Sequence, residues 1–358
     1  MTSEKISIKR LTFDELKTKL GNMGLKGYRA GQITSWIYQH YAVSFEEMTN
    51  IAKAERDRLA AAFSLTAPPL LQAERSSDGT RKFLFGLEDG HTIESVLIPD
   101  DDRKTLCISS QVGCQQACRF CLTGQGGFMR NLLFFEIADQ VLEVSRILKD
   151  EGARGITNIV LMGMGEPLAN FDEVIKAIRV ITSDRALGFS GRRLTLSTDG
   201  LVPEMEALGR ADVKVNLAVS LNATTDETRD RIMPVNRRYP LKDLLAACRR
   251  FPLEPRRRIT FEYVLLKGVN DSEDDALRLT RLLKGIKCKV NLIPFNPFPG
   301  SDFKRPDDAA VKLFQKILQD RHYTALVRES RGRDISAACG QLRERAATED
   351  GTGGSSLG

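Results

Sequence analysis

The chain has 358 residues, of which 42% are hydrophobic and 28% charged, the balance of a globular protein with a sizeable core rather than a disordered or fibrous one. No apolar run approaches the ~18 residues of a membrane span, and the N-terminus "MTSEKISIKR" has no apolar stretch behind its charges, so the expected compartment is the cytoplasm. In that reducing compartment the seven cysteines are poor disulfide partners, and the net charge of +6 conceals a concentration of basic residues in the second half of the chain.

The first 75 or so residues read as helices. "TFDELKTKL" places Thr12 three before Glu15, "SFEEM" places Ser44 three before Glu47, and both spacings predict capped helix starts. Between them "RAGQITSWIYQHY" has apolar residues at helical spacing, so an N-terminal helical accessory domain is expected over 1–78, with nothing catalytic in it. From Lys82 the texture changes: "KFLFGL", a turn at Asp89-Gly90 and "HTIESVLIP" predict a β-hairpin.

"TLCISS" (105–110) then begins a series of strand-like runs, "ITNIVLMG", "RLTLST", "VNLAVS", "ITFEYVLL" and "VNLIPF". They are separated by helix-like segments such as "EIADQVLEVSRILKD", "FDEVIKAIRVI", "LKDLLAACRRF" and "SEDDALRLTRLLKG". Six strands alternating with helices predict an α/β fold with a parallel sheet, and six are too few for a closed eight-stranded barrel, so a partial (βα)6 barrel is expected over 79–330, with the hairpin leading into it. A short C-terminal segment, 331–358, follows; "RGRDISAACG" reads as mobile and "EDGTGGSSLG" as disordered.

Within this frame "GCQQACRFCLTG" (113–124) sets Cys114, Cys118 and Cys121 at C-x3-C-x2-C in the loop after the first strand of the series, at the edge where parallel barrels carry their sites. Structural zinc closes its shell with four protein ligands, whereas three thiolates on a four-iron cluster leave one iron open to a substrate. A fourth zinc ligand is hard to find: Cys107 lies inside a strand, and His40, His91 and His322 have no ligand-like spacing. Residues 229–258 hold ten Arg or Lys against three acids, +7 in one window, which suits a polyanion such as RNA or equally a solvated face.

C-x3-C-x2-C with Phe120 before the last cysteine is the signature of radical S-adenosylmethionine (SAM) enzymes. The surrounding "QVGCQQACRFCLTGQGGFMRNL" resembles the RlmN/Cfr family of radical SAM adenosine methyltransferases. The resemblance runs through "LMGMGEPLAN", "LSTDGLVP", "SLNATTDETRDRIMPVNRRYP", "NLIPFNPFPGSDF" and "RGRDISAACGQL", from about Glu94 to Leu342. It implies that Cys114, Cys118 and Cys121 hold a 4Fe–4S cluster whose open iron chelates SAM, and that Gly165, Glu166, Ser197, Ser220, Leu221, Asn222 and Asn296 make the other SAM contacts. It also implies two SAM per turnover, one as methyl donor and one as radical source. Cys339 resembles the cysteine that is first methylated, Cys107 the thiol that releases the product as a disulfide forms, and Glu94 the base that takes the ring proton. Without the resemblance, Cys107 reads as a buried structural thiol and Glu94 as a surface carboxylate. Cys248 and Cys288 match nothing in the pattern. Three positions depart from it: Asn222 where histidine is common, Asp199 where serine is common, and Leu122 where serine or alanine is usual.

The implied substrate is an adenosine of 23S rRNA, methylated at C2 on the RlmN side of the family, which "MPVNRRYP" resembles, or at C8 on the Cfr side. The implied partners also include tRNA, modified at the adenosine 3′ of the anticodon, and an electron donor such as flavodoxin or ferredoxin, with the enzyme acting as a monomer. A non-catalytic zinc-stabilised RNA-binding protein is the rival reading, and it leaves Cys339 and the residues at the strand ends without a role.

Overall fold

The computed structural model describes residues 5–343, so the Gly/Ser-rich end of the chain lies outside the described residues. The fold comprises two compact units. The first takes the chain up to Pro69 together with Leu132–Ile156 and Asp172–Ser190; the second takes Leu70–Asn131, Thr157–Phe171 and the described residues from Gly191 on.

In the first unit strand β1 (Ile6–Ser7) pairs in parallel with β2 (Phe63–Ser64), and helices α1 (Phe13–Asn22), α2 (Arg29–Tyr38) and α3 (Lys53–Ala62) lie between them in sequence. Helix α1 begins where predicted: the Thr12 side chain accepts from the Glu15 amide while Glu15 Oε2 accepts from the Thr12 amide at 2.8 Å. The second predicted start makes no helix. Glu47 does accept from the amides of Val43 and Ser44, both at 3.1 Å, but the backbone then turns through i→i+3 bonds, Met48 N–H to Phe45 O at 3.1 Å and Ile51 N–H to Met48 O at 2.9 Å. Apolar residues three apart, Phe45, Met48 and Ile51, all reach the core along such a path, so burial outweighs the local helix signal. The long helices α4 (Phe134–Asp150) and α5 (Phe171–Thr182) complete the unit, and its core joins Ile8, Leu20, Ile33 and Met48 with Leu142 of α4. An ion pair is buried here, Lys9 Nζ to Asp139 Oδ2 at 2.6 Å.

The second unit is a ten-stranded sheet in the order β14-β13-β12-β11-β10-β9-β6-β5-β4-β3. Strands β3 (Leu70–Arg75), β4 (Arg81–Gly86), β5 (Thr92–Asp100) and β6 (Arg103–Cys107) form an antiparallel meander, in which β4 and β5 are the predicted hairpin and β3 an addition to it. From β6 the sheet becomes parallel through β9 (Asn158–Leu161), β10 (Leu194–Thr198), β11 (Asn216–Ser220), β12 (Ile259–Leu265), β13 (Cys288–Pro294) and β14 (Ala325–Val327). The six predicted strands are therefore joined by a seventh, β14, whose three residues are too few to show alternation. The order has two free ends among the described residues, the arrangement of a partial barrel. A separate ribbon of β7 (Gln111–Gly113) and β8 (Phe128–Asn131) brackets the cysteine loop.

Helices α6 (Val202–Arg210), α7 (Asp226–Ile232), α8 (Leu241–Arg250), α9 (Glu273–Leu282) and α10 (Asp308–Asp320) make the later crossovers. The Tyr263 ring of β12 lies 5.4 Å from Phe314 of α10, so Phe261 and Tyr263 face the helices. By strand alternation Thr260, Glu262 and Val264 face the other way, into the concave side of the sheet.

Candidate active site

Cys114, Cys118 and Cys121 are free thiols in the loop between β7 and β8, with Cys118 buried. The loop is wound tightly enough that a Cβ on Gly124 would stand 2.9 Å from the Cys118 nitrogen. Cys118 Sγ donates to Asp199 Oδ2 at 3.2 Å. Burial raises the pKa of all three thiols, and the Asp199 carboxylate raises each further. Three enclosed thiols with a carboxylate beside them form a donor set that ionises only when positive charge is supplied, which fits an iron–sulfur cluster. Among the described residues no three His, Cys, Asp or Glu side chains converge as ligands of a single ion; a four-iron cluster offers separate iron corners and needs no such convergence.

The other expected SAM contacts stand at the C-terminal edge of the parallel strands. Gly165 and Glu166 follow β9, Ser197 is the penultimate residue of β10, Ser220 ends β11 with Leu221 and Asn222 after it, and Asn296 follows β13. Gly165 has φ +98°, and a Cβ there would lie 2.5 Å from Gln111 Cβ, so only glycine lets the chain pass. Glu166 is buried; its carboxylate accepts from the amides of Leu168 at 3.0 Å and Asp199 at 2.7 Å, while burial and then Asp199 push its pKa up to about 8. Asn222 adopts φ +57°, a left-handed conformation that asparagine tolerates. Its amide is committed to the protein, accepting from the Val264 amide at 2.7 Å and donating to Met233 Sδ at 3.2 Å. Its backbone carbonyl accepts from Asn270 Nδ2 at 2.7 Å, so one side-chain N–H and one Oδ1 lone pair are what these bonds leave over.

Arg229 is a site residue that the sequence disguised. It stands first in the basic window, yet it is fully buried. Its guanidinium donates to the carbonyls of Asp199 at 2.7 Å, Ser220 at 3.1 Å and Leu221 at 3.0 Å, and to Asn236 Oδ1 at 3.1 Å. One side chain thus ties together the ends of β10 and β11. It is unavailable to an external polyanion, and only its position nine residues past the end of β11 hinted at this.

Two further groups of the window stand at opposite edges of the sheet. Arg231, Arg237 and Arg238 are exposed around the end of α7, where Ile232 O accepts the Arg119 amide of the cysteine loop at 3.0 Å. Arg257 instead reaches Asn216, the first residue of β11, at 3.2 Å, and Arg258 directly precedes β12. Those two therefore lie at the edge opposite the cysteine loop.

Cys107 ends β6 and is buried; burial raises its thiol pKa, and Cys339 raises it further. Cys339 is exposed by surface area, while the protein packed round its thiol still raises its pKa, burial first and the Glu262 carboxylate next, with Cys121 also contributing. Cys339 thus stands between the cysteine loop, where Leu122 bonds the following residue, and the end of β13, where Asn296 bonds its carbonyl, and it acts on the Cys107 thiol. The segment carrying it, expected to be mobile, is tied down. Gly332 donates to Asp78 at 2.9 Å, Asn296 donates to the Cys339 carbonyl at 3.3 Å, Gly340 O accepts the Leu122 amide at 2.7 Å, and Gln341 donates to Pro297 O at 3.0 Å. Glu94 is buried rather than on the surface; its carboxylate pairs with Lys82 at 3.3 Å and accepts the Arg343 amide at 3.0 Å. Because Val96 pairs with Cys107, Glu94 lies on the same face of the sheet as that thiol.

Residues 108–280 match the radical SAM superfamily and residues 6–65 the ribosomal RNA large subunit methyltransferase N-terminal domain. The chain is 56% identical to the dual-specificity RNA methyltransferase RlmN of Pelobacter propionicus, over 95% of this chain and 96% of that one. It is 58% identical to the RlmN of Geobacter sulfurreducens, over 94% and 92%. In three dimensions it resembles a radical SAM methyltransferase from Sphaerobacter thermophilus, with a TM-score of 0.90, 46% identity and coverage of 94% of this chain and 99% of the other.

Proposed function

Because the chain belongs to the RlmN family of radical SAM RNA methyltransferases, we propose that it methylates C2 of a specific adenosine in 23S rRNA and of the adenosine 3′ of the tRNA anticodon. The dual-specificity name carried by its relatives favours C2 over the C8 alternative. The observation that carries the reading is the position of Cys339: the carbonyl of the next residue accepts the Leu122 amide beside Cys121 at 2.7 Å, and its own carbonyl accepts from Asn296 beyond β13 at 3.3 Å. A methyl carrier needs that neighbourhood.

In this reading Cys114, Cys118 and Cys121 hold the 4Fe–4S cluster, which supplies the electron that cleaves SAM. Gly165, Glu166, Ser197, Ser220, Leu221, Asn222 and Asn296 hold SAM against it. Cys339 carries the methyl group, Glu94 takes the ring proton, and Cys107 resolves the adduct by forming a disulfide with Cys339. The target adenine has to leave its stack to enter so enclosed a site. Outside it, Arg231, Arg237 and Arg238 hold phosphates, and the helical module, residues 1–78, holds more of the RNA. The enzyme works as a cytoplasmic monomer with flavodoxin or ferredoxin as electron donor; no described helix is long and apolar enough to cross a membrane.

The test is expression in a bacterial strain lacking its own adenosine-C2 methyltransferase, followed by digestion of separated 23S rRNA and tRNA and mass spectrometry of the nucleosides. 2-Methyladenosine in both RNAs is expected. 8-Methyladenosine would assign the other regiochemistry, and neither product from a soluble, cluster-bearing protein would overturn the reading.

A further inference from the structure

The concave face of the sheet carries a polar row that runs from Ser220 through two residues, Glu262 and Asn291, that no assigned role uses. In the register of the parallel strands Ser220 of β11 pairs with Glu262 of β12, and Glu262 pairs with Asn291 of β13. Laterally paired residues point to the same side, and Tyr263 on the helix side fixes that side as the concave one. Glu262 and Asn291 are 8% and 7% exposed, and Asn291 Nδ2 donates to Glu262 Oε1 at 2.9 Å. The Asn291 Oδ1 acceptor has no hydrogen-bond partner among the described residues, and neither has Asn296 Oδ1 beyond the end of β13.

A buried carbonyl oxygen without a donor is costly, on the order of 1–3 kcal/mol, and a strand in the middle of a sheet has no need of it. The row's own side chains offer one carboxylate and two amide oxygens, and the Arg328 guanidinium, one residue past β14, is the donor that acts on Glu262 from its border. Such a wall suits a ligand that brings hydroxyl and amino hydrogens. Vicinal ribose hydroxyls on a carboxylate are one recurrent solution, as in dinucleotide sites, and an exocyclic amine on an amide oxygen is another. Asn296 also donates to the Cys339 carbonyl at 3.3 Å, and the Glu262 carboxylate raises the Cys339 thiol pKa, so the row borders the place where chemistry is proposed.

We propose that Glu262 and Asn291 extend the Ser220 station into one wall that binds the hydroxyl and amino groups of an adenosine nucleoside. Both SAM and the target RNA present an adenosine, and the inference rests on the reading of the site as one for these two ligands. Ser220, proposed as a SAM contact, begins the row, which places the adenosyl group of SAM along it.

The test uses the cluster-loaded full chain. Glu262→Gln keeps the size of the side chain but withdraws a charged acceptor. SAM affinity is read by equilibrium binding and by the change SAM makes in the paramagnetic resonance spectrum of the reduced cluster; RNA affinity is read by filter binding. A loss of roughly 10- to 100-fold confined to SAM supports the wall and assigns its occupant as the adenosyl group. The same loss confined to RNA supports the wall and assigns the substrate adenosine. A SAM analogue lacking the 2′-hydroxyl should bind the wild type weakly and lose little more in the variant if the adenosyl group is the occupant. Both affinities within about twofold of wild type, with native cluster content and circular dichroism, would overturn the proposal. Should Glu262→Gln fail to load its cluster, Asn291→Ser is measured in its place and its outcomes are read in the same way. Binding is read without turnover, so a wild type that binds SAM yet makes no methyladenosine would remove the methyltransferase reading and leave this inference to be decided on its own.

Discussion

The amide of Arg343 donates to Oε2 of Glu94 at 3.0 Å, which ties the proposed base to the segment that carries Cys339. Glu94→Gln keeps an acceptor for that amide but has no basicity and no charge for Lys82. Methylation of RNA is expected to fall by about 100- to 10,000-fold. Methylation of Cys339 itself, visible in the intact protein mass, should persist, and its loss would place Glu94 earlier in the reaction than proposed.

Cys339→Ala is expected to bind SAM and RNA and to transfer no methyl group; normal turnover by this variant would disprove the relay. Cys107→Ala should instead stall as a protein–RNA cross-link, seen as a denaturant-resistant band, because an adduct forms with nothing to resolve it. Free methylated RNA from that variant would remove Cys107 from the mechanism.

The division of the basic window gives a salt experiment. Arg237→Glu with Arg238→Glu, near the cysteine loop, should weaken RNA binding and flatten the dependence of log K on log salt by about 0.7 to 0.9 for each phosphate no longer neutralised. Arg257→Glu with Arg258→Glu, at the opposite strand edge, should leave the slope close to wild type. Equal effects from the two pairs would mean that both strand edges face the RNA.

The Lys9–Asp139 pair is buried on both sides. Asp139→Asn leaves the ammonium without its counter-charge and is expected to cost about 3–5 kcal/mol in urea unfolding, whereas Lys9→Met with Asp139→Leu should cost much less. Equal losses for the single and double changes would show that packing, not the stranded charge, sets the cost.

Asp78 anchors the C-terminal segment. Burial pushes its carboxyl pKa up, but bonds from the amides of Gly332 and Thr80 outweigh it and hold the value at about 2, below the ordinary 3.8. The folded value is the lower one, so the anchor is fully effective above about pH 4 and is lost as the pH falls through about 2. Hydrogen exchange at the Gly332 amide should therefore stay protected on acidification to about pH 3, and Asp78→Ala, which removes both acceptor oxygens, should expose it already at neutral pH. Protection unchanged in Asp78→Ala would place the anchor elsewhere.

Local pattern made much of this architecture legible. The Thr12–Glu15 box, the β4–β5 hairpin and the strand ends that carry Ser197 and Ser220 all lie where the sequence predicts them. What failed depended on contacts between distant residues. Ser44 and Glu47 made their hydrogen bonds without a helix because Phe45, Met48 and Ile51 were drawn into a core assembled from elsewhere in the chain. Arg229 counted as surface charge until the carbonyls of Asp199, Ser220 and Leu221 came round it. Glu262 and Asn291 read as unremarkable strand residues until the register set them side by side. The pairing of Lys9 with Asp139, 130 positions apart, left no sequence signal.

The joint made by Ser76, Asp78, Gly332 and Asp334 spans most of the chain, with separations of 258 residues for Ser76–Asp334 and 254 for Asp78–Gly332. Closing so long a loop is entropically unfavourable unless the intervening strands have already gathered its ends. Synthesis runs from the N-terminus, so every wall that encloses Cys339 leaves the ribosome before Cys339 does. A growing chain is therefore expected to finish the sheet first and seat the Cys339 segment last.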